Sequence, residues 1–593
     1  MITSRVRKQL LNLKYSFKSL LMRRNVKLFC LISGMMPAML FGQTAEKVTV
    51  NGAARAVFFA DELSQDLNIA DTVTAPKENS GHTLVDLGVN IRPIEDIEIQ
   101  GMVRVRNDFG GFWGSGITFD VRQLYVKGVI ADIVRYQLGD IDYKLSPYTF
   151  YNGSEMATDH LPVLCNTVSP LVEYDLFYGK DNTWRQQGAA VDFSLLFKDF
   201  ADELQFNMFT SRQQVAAGGN NERLFSGINI TLLQSKFLSL GYNYVQMYDL
   251  AGTSANDHIF HNPINTITLN SDYTKGRLSF NAGGELGNSR YYYENWTESP
   301  ELSDYFMDGK ISVLDAKTGV GLKVAYRSVG PDFRSVAAQT KRINFDANPR
   351  AFERITNDQV IRPLTILDLT RDAALYNMRV QTSLMSFDPR YDNISPYQDA
   401  TPNRQGVTIG LSMKKSTLPV SAELSYGMYT EIRGEGTTDL RNFSRILGDV
   451  QVDVNKWLEN KNRLLRVAAS VRMDNTDRAS EGNIPAVDLQ TMTASVSGEI
   501  ETIDNLDIIL GFYQITYSGF EFTPLRDEFG QIIYFTEYET DGSQQLYGAG
   551  LRYRFTPKIE VSAMYDKFNQ QDTMSDLPAY SINTFGFIFK MDF

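Results

Sequence analysis

LRYRFTPKIEVSAMYD, residues Leu551–Asp566, is the stretch that decides the fold. Leu551, Tyr553 and Phe555 alternate with Arg552 and Arg554 up to a turn at Thr556-Pro557-Lys558. Ile559, Val561, Ala563 and Tyr565 then continue the apolar set, and Glu560, Ser562 and Asp566 the polar one. Successive side chains of an extended strand point to opposite faces, so this hairpin has one greasy face and one charged face. Two arginines on the same face of one strand need water beside them, either bulk water or an enclosed wet interior.

The same period recurs along the chain. Ile97, Ile99, Gly101, Val103 and Val105 oppose Glu98, Gln100, Met102, Arg104 and Arg106. Val420 to Ile432 and Leu465 to Met473 repeat the pattern. The connections alternate in length. Short ones fall near 93–96, 129–132, 199–202, 233–235, 274–276, 315–318, 415–417, 456–462, 500–503 and 556–558. Long ones fall near 61–81, 108–116, 145–188, 213–223, 250–263, 295–303, 329–404, 434–440, 476–486, 518–543 and 569–579. A soluble sandwich also alternates its residues but has no reason to alternate its connections. The rhythm predicts an all-β protein: a transmembrane, antiparallel, up-and-down β-barrel of about 22 strands, in a range of 18–26, with both termini periplasmic.

Bulk composition agrees without deciding. Hydrophobic residues are 43% of the chain and charged residues 22%, with a mean hydropathy of −0.25. Barrel strands keep that average low because half of their residues face a polar interior. The 30 Tyr and 36 Phe against 4 Trp suit strands and interfacial girdles. The net charge of −12 argues against nucleic acid as a partner.

Residues 1–42 read as a signal peptide, with Arg23, Arg24 and Lys27 before the apolar run Leu28–Phe41 and cleavage near Gly42–Gln43. Met22 is a possible true start. Cys30 stands too early and in the wrong context for a lipoprotein signal. Cys165 is then the one thiol left in residues 43–593, which are read as a single barrel with long outer loops 145–188 and 329–404. The first strand begins near Val48, directly after the leader. This leaves no room for the N-terminal plug domain that TonB-dependent transporters carry. A 22-stranded pore needs narrowing, and the two long loops are long enough to fold inward.

No catalytic pattern stands out. His258-x-x-His261 beside Asp257 reads as loop polarity, Asp140-x-Asp142 as a solvated pair on the lumen face, and Cys165 as a plain thiol. The expectation is no enzyme, no cofactor and no metal site. The functional surface is expected to be the lumen wall: Arg104, Arg106, Arg135, Lys323, Arg327, Glu423, Arg466, Arg472, Arg552, Arg554 and Glu560, with Glu98, Glu285, Glu431 and Asp566 beside them.

The chain ends on Phe585, Phe587, Phe589, Met591 and Phe593 in alternation. This resembles the terminal strand of outer-membrane barrels, which implies that Phe589, Met591 and Phe593 serve as a signal to the barrel-insertion machinery. Leu40-Phe41-Gly42-Gln43, Tyr326–Phe333 and Ser395–Arg404 look like large outer-membrane proteins of Bacteroidota-type bacteria, porin-like and without an assigned family. Arg122–Leu145 is loosely similar to a porin hairpin that leads into a functional loop. The resemblance implies a barrel in the cell outer membrane, in contact with its lipid. The function expected is passive or gated passage of small polar solutes. The alternative is a barrel subunit of a larger envelope assembly, for secretion, barrel insertion or surface-protein display. An envelope partner filling or capping the lumen is compatible with both.

Overall fold

The computed structural model describes residues 47–64, 77–109, 116–159, 161, 168–177, 182–198, 201–235, 237–296, 299, 301–350, 352, 355–356, 359–360, 362–415, 417–458, 463–527, 532–575 and 577–593. Residues 1–42, expected to be a signal peptide, lie outside them, as do His160 and Cys165.

The described residues form one antiparallel sheet of 22 strands closed on itself, the architecture the alternation predicts. The first strand, Val48–Leu63, pairs with Lys77–Ile94 from Val48↔Ile91 to Glu62↔Lys77. Its other side pairs with the last strand, Tyr580–Asp592, from Ala53↔Asp592 to Leu63↔Ile582. Phe593 and Gly52 exchange two backbone hydrogen bonds of 3.0 Å at the base of this closure. The start of the first strand and the end of the last therefore both lie at the rim of short turns, such as Ile94–Ile97 and Arg554–Ile559.

The sheet is inverted relative to a soluble core. On Val487–Ile503 the inward residues Thr491, Thr493, Ser495, Ser497 and Glu499 are buried, while Met492, Val496 and Ile500 are exposed on the outside. On the last strand Phe585 and Phe587 face out, while Thr584 and Ile588 face in. Such a wall is stable only with hydrocarbon outside and a polar interior, and its closure leaves few unpaired backbone groups for lipid to meet. The chain is an outer-membrane protein.

One connection differs from expectation. Residues 518–543 are not a loop, because Leu506–Arg526 and Ile532–Thr556 run on as a two-stranded ribbon to Arg526↔Ile532. Gly519 and Pro524 read as breakers, but Pro524 sits where its strand has no second neighbour, since pairing with Val487–Ile503 starts at Asp488↔Phe520. Proline is tolerated on such an edge. Tyr517, Phe520, Phe522, Tyr534 and Phe535 supply the strand preference.

Two segments turn into the barrel at its long-loop end. Residues 144–183 carry the helix Ser169–Leu176. Residues 330–403 carry the short helices Val336–Gln339 and Ile366–Arg371. Ile366, Leu367, Leu369, Leu375 and Tyr391 pack on the inner-wall residues Tyr513, Ile515, Leu546, Phe568 and Ile582. Phe150, Val336 and Ala337 pack on Trp184, Phe209, Phe225, Val245 and Phe260. The inner wall is thus apolar where the segments land.

Candidate functional site: a lumen occupied from within

Neighbouring strands send three arginines to the helix Ser169–Leu176. Arg104 forms a two-point pair with Asp86, at 2.7 Å on both oxygens, and reaches Asp175 at 3.1 Å. Arg55 pairs with Asp175 and donates to the Leu171 carbonyl at 3.2 Å. Arg122 donates to the carbonyls of Tyr174 and of Asp175, the latter at 3.1 Å, and lies 4.2 Å over the Tyr174 ring. Carbonyls at a helix C-terminus have no partner inside the helix and carry its negative dipole end. Fixed cations on the wall satisfy both and hold the helix in place.

Residues 330–403 are held by a second set. Arg371 pairs with Asp61 of the first strand. Arg445 bridges Asp474 on the wall at 2.7 Å and Asp392 of the segment at 2.8 Å, and Arg472 donates to the Tyr391 carbonyl. Asn393 donates to Glu521 at 2.7 Å. Burial alone would push the Asp392 carboxyl up, but the Arg445 and Arg472 guanidinia beside it hold it down at about 2. Within the segment, Thr365 and Asp368 close a capping box and Arg362 pairs with the same buried Asp368. The two segments also join each other, since Lys341 pairs with Glu155 at 2.8 Å, and the wall holds residues 330–403 once more where Trp184 Nε1 donates to the Ala337 carbonyl at 2.9 Å.

The lumen-lining candidates fall into two groups. Arg104, Arg106, Arg327 and Arg472 point at the inserted segments. Arg106 stands 3.9 Å from Asp175, and Arg327 pairs with both Asp308 and Asp399. The others lie toward the short-turn rim and pair along the wall. Arg135 pairs with Asp192, and Glu423 with Lys414 at 2.6 Å. Arg466 meets Asp453 at 3.0 Å, Arg552 meets Glu499 and Asp507, and Arg554 meets Asp507 at 2.9 Å. Glu560 faces Arg554 across the ladder, and Lys323 is exposed. Among the terminal residues Phe589 is half-buried and Phe593 is exposed.

Asp140 and Asp142 are a correction. On Val134–Tyr143 Asp140 is buried at 4% exposed whereas Asp142 is exposed, so the two do not form a solvated pair. Asp140 accepts a hydrogen bond from the Leu124 amide at 2.5 Å. His258 stacks on Trp296 and His261 on Tyr292. Among the described residues no group of three His, Cys, Asp or Glu could hold a metal ion.

Sequence reasoning missed the anchors inside the segments, Asp175, Arg371 and Asp392, because no period marks them. It also missed Asp86, although its alternation with Val85 and Leu87 was there to be read.

Wet space remains on both sides of the closure. Along Leu465–Arg478 the Arg472 side chain is 2% exposed but Arg466 is 38% exposed, so the lumen opens toward the short turns. There, Asn207, Asn229, Asn243 and Thr266 form a hydrogen-bonded ladder across four strands, at 3.0, 2.7 and 2.9 Å. A cavity of about 440 Å³ opens beside the three asparagines and Tyr143. At the long-loop end a second cavity, of about 410 Å³, lies between residues 330–403 and the tall ribbon. Asn377, Gln381, Ser383, Phe387, Tyr397 and Thr536 are among its lining.

No family model and no curated protein matches the chain. Among solved structures it is similar to OccK8 (OprE) of Pseudomonas aeruginosa, at 8% identity over 92% of this chain and 98% of that one, with a TM-score of 0.34. It is similar to the ferric citrate transporter FecA in its unliganded form, at 11% identity over 92% and 79%, with a TM-score of 0.47. It is similar to the P pilus usher (PapC) translocation pore, at 8% identity over 91% and 99%, with a TM-score of 0.29.

Proposed function

We propose that the chain is a gated outer-membrane channel for small polar solutes, closed in the conformation described here by residues 144–183 and 330–403. One observation carries the reading. The closure is made by side-chain contacts, the ion pairs and hydrogen bonds together with the apolar packing on the inner wall, and the strand ladder does not depend on it: Val329 pairs directly with Arg404 on the neighbouring strand. Moving residues 330–403 therefore breaks no pairing of the wall. The amide ladder on one side and the polar cavity on the other, whose lining also holds Asp346, Arg526 and Asp527, suit polar, hydroxyl- or amide-bearing solutes, and the mixed charges favour neither anions nor cations. The reading assigns no catalytic chemistry and no cofactor to the chain.

Planar-bilayer recording tests it. Wild-type protein is expected to be closed most of the time with discrete openings, and a variant with residues 334–400 replaced by a short Gly-Ser linker is expected to conduct steadily. A variant that inserts as a folded barrel yet never conducts would overturn the reading.

A further inference from the structure

The barrel wall is incompletely paired at one place. Strand Ile117–Ile130 pairs with Ile97–Asp108 along its length, from Ile97↔Gly128 to Asn107↔Ile117. On its other side it pairs with Val134–Tyr143 only from Tyr125↔Gly139 to Ile130↔Val134. Above that point Val134–Tyr143 stays paired with Trp184–Leu196, as far as Tyr143↔Trp184, but turns away from its earlier neighbour. Residues Ile117–Leu124 thus present an edge with no strand beside it among the described residues. Two contacts pin its lower corner: the Leu124 amide to Asp140, and the Arg185 guanidinium to the Arg122 carbonyl at 2.5 Å. The helix Ser169–Leu176, held by Arg122, closes the opening from the lumen side.

This edge is apolar as well as unpaired. Ile117, Phe119 and Val121 are 39%, 74% and 65% exposed, and the inward-phase residues Thr118 and Asp120 are exposed too. Unpaired backbone groups at a bilayer surface are costly, and lipid chains cannot satisfy them. A long, apolar, exposed edge is also a template for another strand. What satisfies both the backbone row and the apolar row is an extended polypeptide, with main-chain groups meeting the edge and apolar side chains at alternate positions meeting Phe119 and Val121.

We propose that Ile117–Leu124 is a docking edge that takes up one extended strand of a second envelope polypeptide, with apolar residues at every other position. The inference does not depend on the channel reading, because the helix behind the edge leaves the lumen closed while the strand is bound.

Two measurements on the full-length barrel test it together. Hydrogen exchange on purified protein in nanodiscs should show those amides of Ile117–Gln123 that point away from Ile97–Asp108 exchanging at least about tenfold faster than those of Tyr125–Ile130. Equal protection of the two stretches would mean that the chain covers its own edge, and would overturn the proposal. A photo-crosslinking residue in place of Phe119, activated in intact cells, should give an adduct to one short segment of another polypeptide. A synthetic peptide of that segment, added to the purified barrel, should then slow exchange of Ile117–Leu124, and the double variant Phe119→Asp, Val121→Asp should lose both effects while remaining a folded barrel. Adducts confined to lipid or to this chain, or a peptide that leaves exchange unchanged, would overturn it.

Discussion

Arg371, in the last turn of the helix Ile366–Arg371, meets Asp61 of the first barrel strand through two parallel hydrogen bonds of 3.0 Å, and Asp61 also accepts from Thr584 of the last strand at 2.5 Å. One carboxylate thus ties the inserted segment to the two strands that close the barrel. Both partners are almost shielded from water, with side-chain exposures of 11% and 3%. Removing one member of such a pair leaves the other charge buried alone, at about 3–5 kcal/mol. Arg371→Ala is therefore expected to loosen residues 330–403 without unfolding the wall. Rising single-channel open probability, together with faster protease cleavage inside 330–403, is the expected readout, and unchanged cleavage counts against this anchor.

Acid should loosen the same segment. Asp392 titrates at about 2 in the folded protein, against an ordinary value of 3.8. A depressed carboxyl stabilises the state that depresses it at pH above the ordinary value, and that contribution fades as pH falls from near 3.8 through about 2. Asp368 is shifted in the same direction, burial being outweighed by Arg362. Protection against hydrogen exchange in 362–395, taken relative to the intrinsic rate at each pH, is expected to fall below pH 4 in wild type, and Asp392→Asn should flatten that acid dependence.

Thr365→Ala removes the side-chain half of the capping box on Ile366–Arg371, where Thr365 Oγ1 also donates to Asp368 at 2.8 Å. A lost cap costs about 1 kcal/mol. The expected change is local: faster exchange in Ile366–Arg371 with the barrel's own melting unchanged. A fall in the melting temperature of the whole barrel would show that the segment and the wall unfold as one unit.

Gly519 has a positive φ of 116°. A β-carbon there would stand 1.8 Å from the Asp488 carbonyl, which is backbone and cannot simply swing away. Gly519→Ala is expected to cost about 1–3 kcal/mol and to disturb the base of the tall ribbon. A lower yield of heat-modifiable folded barrel in gel-shift assays checks it, with Gly482→Ala, whose added carbon meets nothing, as the milder comparison.

The wall was legible in the sequence because its signal is local. Val420–Thr430 and Leu465–Arg478 declare their two faces within a dozen residues, and the lengths of the connections order them. Asp140 was read as solvated because its contact with the Leu124 amide, made where the strand bends at Gly139, leaves no local mark in the sequence. The ribbon at 518–543 was hidden by a glycine and a proline that usually end strands. The contents of the lumen were legible only as length. Residues 330–403 have no repeating period, and what orders them is the match between Asp392 and Arg445 or between Arg371 and Asp61, pairs whose members lie far apart in the chain. The gap beside Ile117–Leu124 is invisible for the same reason: a sequence announces strands, not which neighbour each one forgoes.

Val329 and Arg404 sit opposite each other as the last ladder pair below residues 330–403. Geometrically the entire segment is a pendant on a hairpin, joined to the wall at one neck. Its content can be lengthened, shortened or exchanged over generations with no compensating change in strand number or register, so selection on what passes through the barrel and selection on the barrel's assembly act on separable stretches of the gene.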